Sequence, residues 1–102
     1  MISETEFLEL YVMFCKTISK PARLRIIHLI GNGKMNVSTI QKELDIPLSN
    51  LSNHLNDLYR VGILSKEKQG NFVFYYLTDP ELVAGVTKMQ QIVKNINQKK
   101  TL

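Results

Sequence analysis

The sequence lacks several features that mark other classes of protein. Its 102 residues include one cysteine, Cys15, so no internal disulfide framework can form, and we expect a reducing cytoplasm. No apolar run approaches the roughly 18 residues of a membrane span. Glu4, Glu6 and Glu9 stand where a signal peptide would be basic. The GxGxxG, P-loop, HExxH and GxSxG motifs are all absent, which argues against an enzyme.

Charge is distributed unevenly along the chain. The first 15 residues carry three glutamates and no basic residue, whereas the remainder carries 13 basic and 6 acidic residues. A basic body of this kind suits a polyanionic partner. The length and the hydrophobic fraction of 44% predict one folded domain that covers residues 1–102.

Residues 46–58 are the stretch around which the rest of the sequence is organised. Its apolar residues recur with the spacing of one helical face, at Leu48, Leu51, Leu55 and Leu58. Short or planar polar side chains lie between them: Ser49, Asn50, Ser52, Asn53, His54 and Asn56. Such residues are poorer helix formers than Glu and Lys, but they can hydrogen-bond to base edges in a DNA major groove. We predict a DNA recognition helix, and an ordinary polar outer face is the alternative.

A short helix and a tight turn precede this stretch. The apolar residues of the short helix are Val37, Ile40 and Leu44. We expect Asn36 or Ser38 to cap it. Pro47 then breaks the chain, because a residue before proline is disfavoured in the α region. Two helices joined this closely form a helix-turn-helix pattern.

A β-hairpin is predicted after the recognition helix. Its strands are residues 63–68 and 71–77, and its turn is Gln69-Gly70-Asn71. Polar residues cluster at its tip: Lys66, Lys68, Gln69 and Asn71. This tip suits a DNA-binding wing. The alternative is that the lysines protect an exposed edge strand.

The first and last helices are predicted at about residues 3–18 and 80–97. Ser3 and Glu6 have the spacing of a capping box, and Asp79 is placed to cap the last helix. We assign the following apolar residues to a dimer interface: Phe7, Tyr11, Phe14, Leu82, Val86, Met89, Val93 and Ile96. Those on the last helix repeat as a heptad-like seam. The alternative is that they pack only within the chain's own core.

The remaining segments are less informative. A second helix is expected to begin near Pro21, since proline suits a first helical position. Its Arg23 and Arg25 face phosphates or a carboxylate, or are simply solvated. Residues 97–102 are expected to form a frayed basic tail.

Three separated motifs resemble the ArsR/SmtB family of winged-helix repressors. Residues 16–27 are similar to the opening signature of that family, and residues 51–64 to its recognition helix. Gly70 with residues 75–77 resembles its wing. The motifs occur in the family's order, and the resemblance covers about residues 11–83.

The resemblance implies a mainly α winged helix-turn-helix fold with a β-hairpin wing, in the order α-α-α-α-β-β-α. It also implies a cytoplasmic transcription repressor that binds double-stranded DNA at a palindromic operator, as a homodimer through its first and last helices. The implied DNA-binding residues of the recognition helix are Leu48, Ser49, Asn50, Ser52, Asn53 and His54. His54 would contact a phosphate or hold the helix in place, and the alternative is a partner within its own subunit.

The sequence departs from the family's metal-sensing members. Soft-metal sensors carry a Cys-x-Cys pair where this chain has Asn36 and Ser38, and neither side chain offers a thiolate. Other members bind zinc-like ions through the last helix. Asp79 matches there, but the later ligand positions are Ile92 and Asn95. We expect neither a metal site nor a cofactor, and the sequence identifies no small-molecule effector.

Two other functions stay open at this point. Redox-sensing relatives pair two cysteines within one subunit, so a thiol-responsive repressor would have to use Cys15 with a partner subunit or a small thiol. A winged-helix module that binds another protein is the other possibility, since fold alone does not decide function. Such a module would favour acidic or apolar residues on the recognition helix, and these are missing from its outer positions.

Overall fold

The computed structural model describes residues 1–101, within which five helices and three short strands occur. In chain order they are α1 (Glu4–Ile18), α2 (Pro21–Ile30), β1 (Lys34–Asn36), α3 (Val37–Leu44), α4 (Leu48–Arg60), β2 (Leu64–Gln69), β3 (Phe72–Leu77) and α5 (Leu82–Thr101). The predicted fold, mainly α with a β-hairpin, is confirmed. Within the described residues, no helix combines the length and the apolar character that crossing a bilayer requires.

The core lies between α2, α3, α4 and the inner face of the sheet. Its buried residues are Ile26, Ile27, Ile30, Ile40, Leu44, Leu51, Leu55, Leu58, Ile63, Leu64, Tyr75 and Leu77. Leu51, Leu55 and Leu58 of α4 are 0–1% exposed. Since these three occupy one face of the helix, the polar residues between them point toward solvent.

The helix-turn-helix is formed by α3, residues 45–47 and α4. Asp45 ends α3 in the left-handed conformation with φ 52°, and Pro47 is the N-cap of α4. The Gln41 side chain donates a hydrogen bond of 3.3 Å to the carbonyl of Ile46, which closes the turn. The tight connection predicted from Pro47 is confirmed.

The sheet is antiparallel, with the strands in the order β1-β3-β2. The hairpin of β2 and β3 turns at Gly70, whose φ of +62° is a conformation that glycine adopts at low cost. β1 was not predicted: its three residues are too short for an alternating pattern, and Lys34, Met35 and Asn36 become a strand only by pairing with β3.

The boundaries of α1 agree with the predicted ones, whereas α5 differs from its prediction at both ends. The capping box of Ser3 and Glu6 is present in α1. The Asp79 carboxylate accepts from the backbone N–H of Glu81 in a turn, and α5 begins at Leu82, later than predicted. Because α5 continues to Thr101, the prediction of a frayed tail is wrong for residues 97–101, and Leu102 lies outside the described residues.

Candidate nucleic-acid interface

The outward face of α4 carries the predicted base-reading residues. Ser49, Asn50 and Asn53 are exposed, whereas Ser52 and His54 are half-buried. Leu48 begins the helix and is 51% exposed, so it does not join the buried leucines of the same helix. An exposed row of amides and a hydroxyl at the start of a helix has the donors and acceptors that base edges require.

Arg23 anchors α4 from the neighbouring helix α2. Its side chain is buried, and its guanidinium donates to three groups. These are the carbonyl of Thr17 at 2.9 Å, Nδ1 of His54 at 3.1 Å and the carboxylate of Asp57 at 2.5 Å. Arg23 therefore joins the end of α1 to the recognition helix. Of the partners predicted for Arg23, the structure shows a carboxylate, that of Asp57.

His54 serves as a hydrogen-bond acceptor inside the subunit. Burial lowers the pKa of its imidazole, and the cations of Arg23 and Lys20 lower this pKa further, while Asp57 opposes them. A neutral ring is what the bond from Arg23 requires, since Nδ1 must accept. In the structure His54 thus has a partner within its own subunit, Arg23, and this hydrogen bond also holds α4 in place.

The wing lies beside the C-terminal half of α4. Lys66 of β2 places its ammonium 4.2 Å from the ring centroid of Tyr59 on α4, a cation–π contact. Glu67 forms a salt bridge with Lys34 of β1, and this cation, as a hydrogen-bond donor, lowers the pKa of the Glu67 carboxyl. Gln69 donates to the same carboxylate at 2.8 Å.

The four predicted wing residues are thus in two different situations. Lys66 and Gln69 have partners within the chain. Lys68 and Asn71 are exposed at the tip of the hairpin. Phe72 is also exposed there, at 57%, and the sequence did not indicate it as a site residue. Lys68 and Asn71 are therefore the two predicted wing residues most open to a partner outside the chain.

Two further basic residues lie near the face of α4 and were not predicted as site residues. Lys20 precedes α2, and Arg60 is the last residue of α4, 3.5 Å from the Asp57 carboxylate. Together with Asn50 and Asn53 they line a polar hollow. The only signal for Arg60 was its spacing of seven residues from Asn53, which puts both on one helical face.

A second surface is formed by apolar residues of α1 and α5. No residue of α1 is buried, although it carries large apolar side chains. Those exposed on the two helices are Phe7, Leu8, Leu10, Tyr11, Val12, Met13, Met89, Ile92, Val93 and Ile96. Of the predicted interface residues, Phe14 and Leu82 instead pack partly against the chain's own core, and Val86 is half-buried.

Cys15 lies between these helices as a half-buried free thiol. It lines an apolar cavity of about 490 Å³ between α1, α2 and α5. A hydrogen bond with Cys15 raises the pKa of the Tyr11 phenol. Within residues 1–101, no three His, Cys, Asp or Glu side chains lie close enough to share a metal ion.

Comparisons with known proteins agree with this geometry. A helix-turn-helix domain family matches residues 18–67. An uncharacterised helix-turn-helix transcriptional regulator of Methanocaldococcus jannaschii is 34% identical over 84 residues, which are 81% of this chain and 86% of the relative. The transcriptional repressor SdpR of Bacillus subtilis is 30% identical over 78 residues, covering 76% of this chain and 87% of SdpR.

Solved structures show the same fold. The homodimeric winged helix-turn-helix DNA-binding domain of Mb0332 from Mycobacterium bovis, described as a possible ArsR-family regulator, superposes with a TM-score of 0.77. It is 22% identical, and the match covers 97% of this chain and 93% of that domain. The matching domain family and these relatives show that the chain belongs to the ArsR/SmtB-type family of helix-turn-helix transcriptional regulators.

Proposed function

We propose that this regulator represses transcription by binding a palindromic DNA operator as a homodimer. The observation that carries the proposal is the pairing of two surfaces on one chain. One is the exposed row of amides and hydroxyls on α4, and the other is the uncovered apolar surface of α1 and α5.

The polar surface supports base reading. Asn50 and Asn53 are exposed, and an Asn side chain can pair with adenine through two hydrogen bonds, while Ser49 can bond to several base edges. Arg23 holds α4 through its hydrogen bonds to His54 and Asp57, so these side chains project from a fixed helix. Lys68 at the hairpin tip adds a cation for a phosphate, which contributes affinity rather than sequence preference.

The apolar surface supports the homodimer. Met89, Val93 and Ile96 are 56–59% exposed on one stripe of α5, and Phe7 and Tyr11 stack on each other on α1 while about half exposed. Soluble monomers seldom leave so large an apolar area uncovered, and a second copy with the same surface would cover it. The homodimeric Mb0332 domain has the same fold, which is consistent with this pairing. In such a dimer the two recognition helices would lie about 34 Å apart, or a multiple of it, and read a palindrome.

We propose that regulation of this protein does not use the metal ligands of related sensors. Asn36 is occupied as the cap of α3, where its side chain accepts from the Thr39 N–H at 2.9 Å. Ser38 donates to the same Asn36 side chain. At the last helix, Ile92 has no donor atom for a metal. A titration with zinc and cadmium should therefore leave the affinity for DNA unchanged.

Recovery of bound genomic fragments by the purified protein tests the proposal. Fragments that share an inverted repeat should be enriched, and each should bind more tightly than random DNA of equal length in moderate salt. Sedimentation should give a dimer both free and on the DNA. Retention equal to that of random DNA would refute the sequence-specific regulator, and running the selection with and without a reductant reports whether Cys15 matters.

A further inference from the structure

A polar hollow lies on the side of α4 that faces α2. It has a volume of about 470 Å³ and is open to solvent. Asn50 and Asn53 form one wall, and Arg60 stands at the C-terminal end of the helix. Lys20 comes from the segment before α2. The hollow is therefore continuous with the proposed base-reading face but is built partly from another element.

The charges around the hollow are predominantly positive. Lys20, Arg23 and Arg60 contribute three cations, against the single carboxylate of Asp57. Asp57 is itself held by Arg23 at 2.5 Å and by Arg60 at 3.5 Å. Its negative charge is therefore largely compensated, and the hollow presents a net positive field to a ligand.

Two of the cations can turn toward a ligand. The side chain of Arg60 is 76% exposed and uses only one of its nitrogens in the contact with Asp57. Lys20 is exposed, and within residues 1–101 its ammonium forms no salt bridge. It is nevertheless close enough to His54 on α4 to lower the pKa of the imidazole. Lys20 also lines the hollow together with Asn50 and Asn53 of α4.

Resting on the proposed DNA binding, we propose that this hollow binds a backbone phosphate of the operator, with Lys20 and Arg60 as its direct ligands. A phosphodiester has one negative charge and two non-bridging oxygens, which can accept hydrogen bonds from an ammonium and a guanidinium. Asn50 and Asn53 would then read bases beside the phosphate that fixes the register of α4. This contact is separate from that of the wing, which meets α4 at Tyr59.

The hollow is tested by replacing each of the two proposed phosphate ligands with glutamine in the full-length protein. Lys20→Gln and Arg60→Gln are compared with Lys88→Gln, a matched change of an exposed lysine on α5. Binding is titrated across salt concentrations on the recovered operator and on a random duplex of equal length. Each lost phosphate contact reduces the magnitude of the slope of log affinity against log salt by about 0.9. The double variant Lys20→Gln/Arg60→Gln removes both ligands of the phosphate in each of two subunits, so the magnitude of its slope should fall by about 2, and each single variant should show part of this change.

The expected result is that Lys20→Gln and Arg60→Gln weaken binding to both duplexes by the same factor, with unchanged thermal unfolding midpoints. A neutral methylphosphonate at the contacted position should weaken DNA binding by the wild type but not by the variant Lys20→Gln/Arg60→Gln. Slopes equal to that of Lys88→Gln, or a loss confined to the operator, would overturn the proposal. If the wild type itself shows no preference for any fragment, the regulator proposal fails instead, and the slopes on random DNA still decide whether the hollow binds phosphate.

Discussion

Replacing Arg23 with alanine should both destabilise the fold and weaken specific DNA binding. Its side chain is 6% exposed and donates to groups on two other helices. Loss of the guanidinium leaves the Thr17 carbonyl and the His54 ring without their donor and removes the nearer cation of Asp57. Since α4 also carries the proposed base-reading residues, any shift of this helix moves them together.

The size of the effect follows from how far each partner is buried. Removing one member of a buried ion pair costs about 3–5 kcal/mol when the remaining charge has no other partner. Asp57 is 39% exposed and keeps Arg60 at 3.5 Å, so its charge stays partly solvated and paired. We therefore expect Arg23→Ala to lower the free energy of unfolding by about 3 kcal/mol, at the low end of that range. Arg23→Lys should cost less but not nothing, because one ammonium cannot reach three partners.

Urea unfolding followed by circular dichroism measures this loss, at one fixed protein concentration because a dimer's stability depends on concentration. Arg25→Ala is the control: this arginine is on the same helix, is exposed, and makes one bond of 3.3 Å to the carbonyl of Leu44. It should cost less than about 1 kcal/mol. Equal losses in the two alanine variants would refute the role assigned to Arg23, as would a coupling energy near zero between Arg23→Ala and Asp57→Ala.

Three further predictions concern DNA reading, pH and assembly. Asn53→Ala should cost about 1–3 kcal/mol at one base position of the operator, whereas Lys68→Ala should weaken all sequences alike, and competition titrations against operators with single base changes separate the two. Burial lowers the pKa of His54 below its usual 6.5. As the pH falls from 6.5 toward that lower value, the unfolded state takes up a proton first, so stability should fall. His54→Asn should remove this part of the pH dependence in unfolding measurements between pH 7 and pH 5, and an unchanged profile would argue against the buried neutral ring. Met89→Glu should convert the dimer to monomer in sedimentation while Lys88→Glu, off the seam of α5, should not; a dimeric Met89→Glu would show that the pairing lies elsewhere.

Helix caps and turns could be predicted from the sequence because each depends on one or two residues that act locally. Ser3 and Glu6 predicted the capping box, and Pro47 predicted the break before α4. Gly70 predicted the hairpin turn. Asp79 was misread as a helix cap, because an Asp before Pro suits both a cap and the turn that it actually forms with Glu81.

By itself the sequence determined the elements that depend on local spacing. The repeat of Leu51, Leu55 and Leu58 fixed which side of α4 is buried, and the polar face follows from it. Only the tertiary structure decided what lies against that helix. Arg23 contacts His54 and Asp57 across 31 and 34 residues of chain, and β1 exists only because β3 lies beside it. A periodic pattern reports the face of one element and carries no information on which distant side chain packs against it, so the anchor and the hollow beside α4 could be found only from the packed fold.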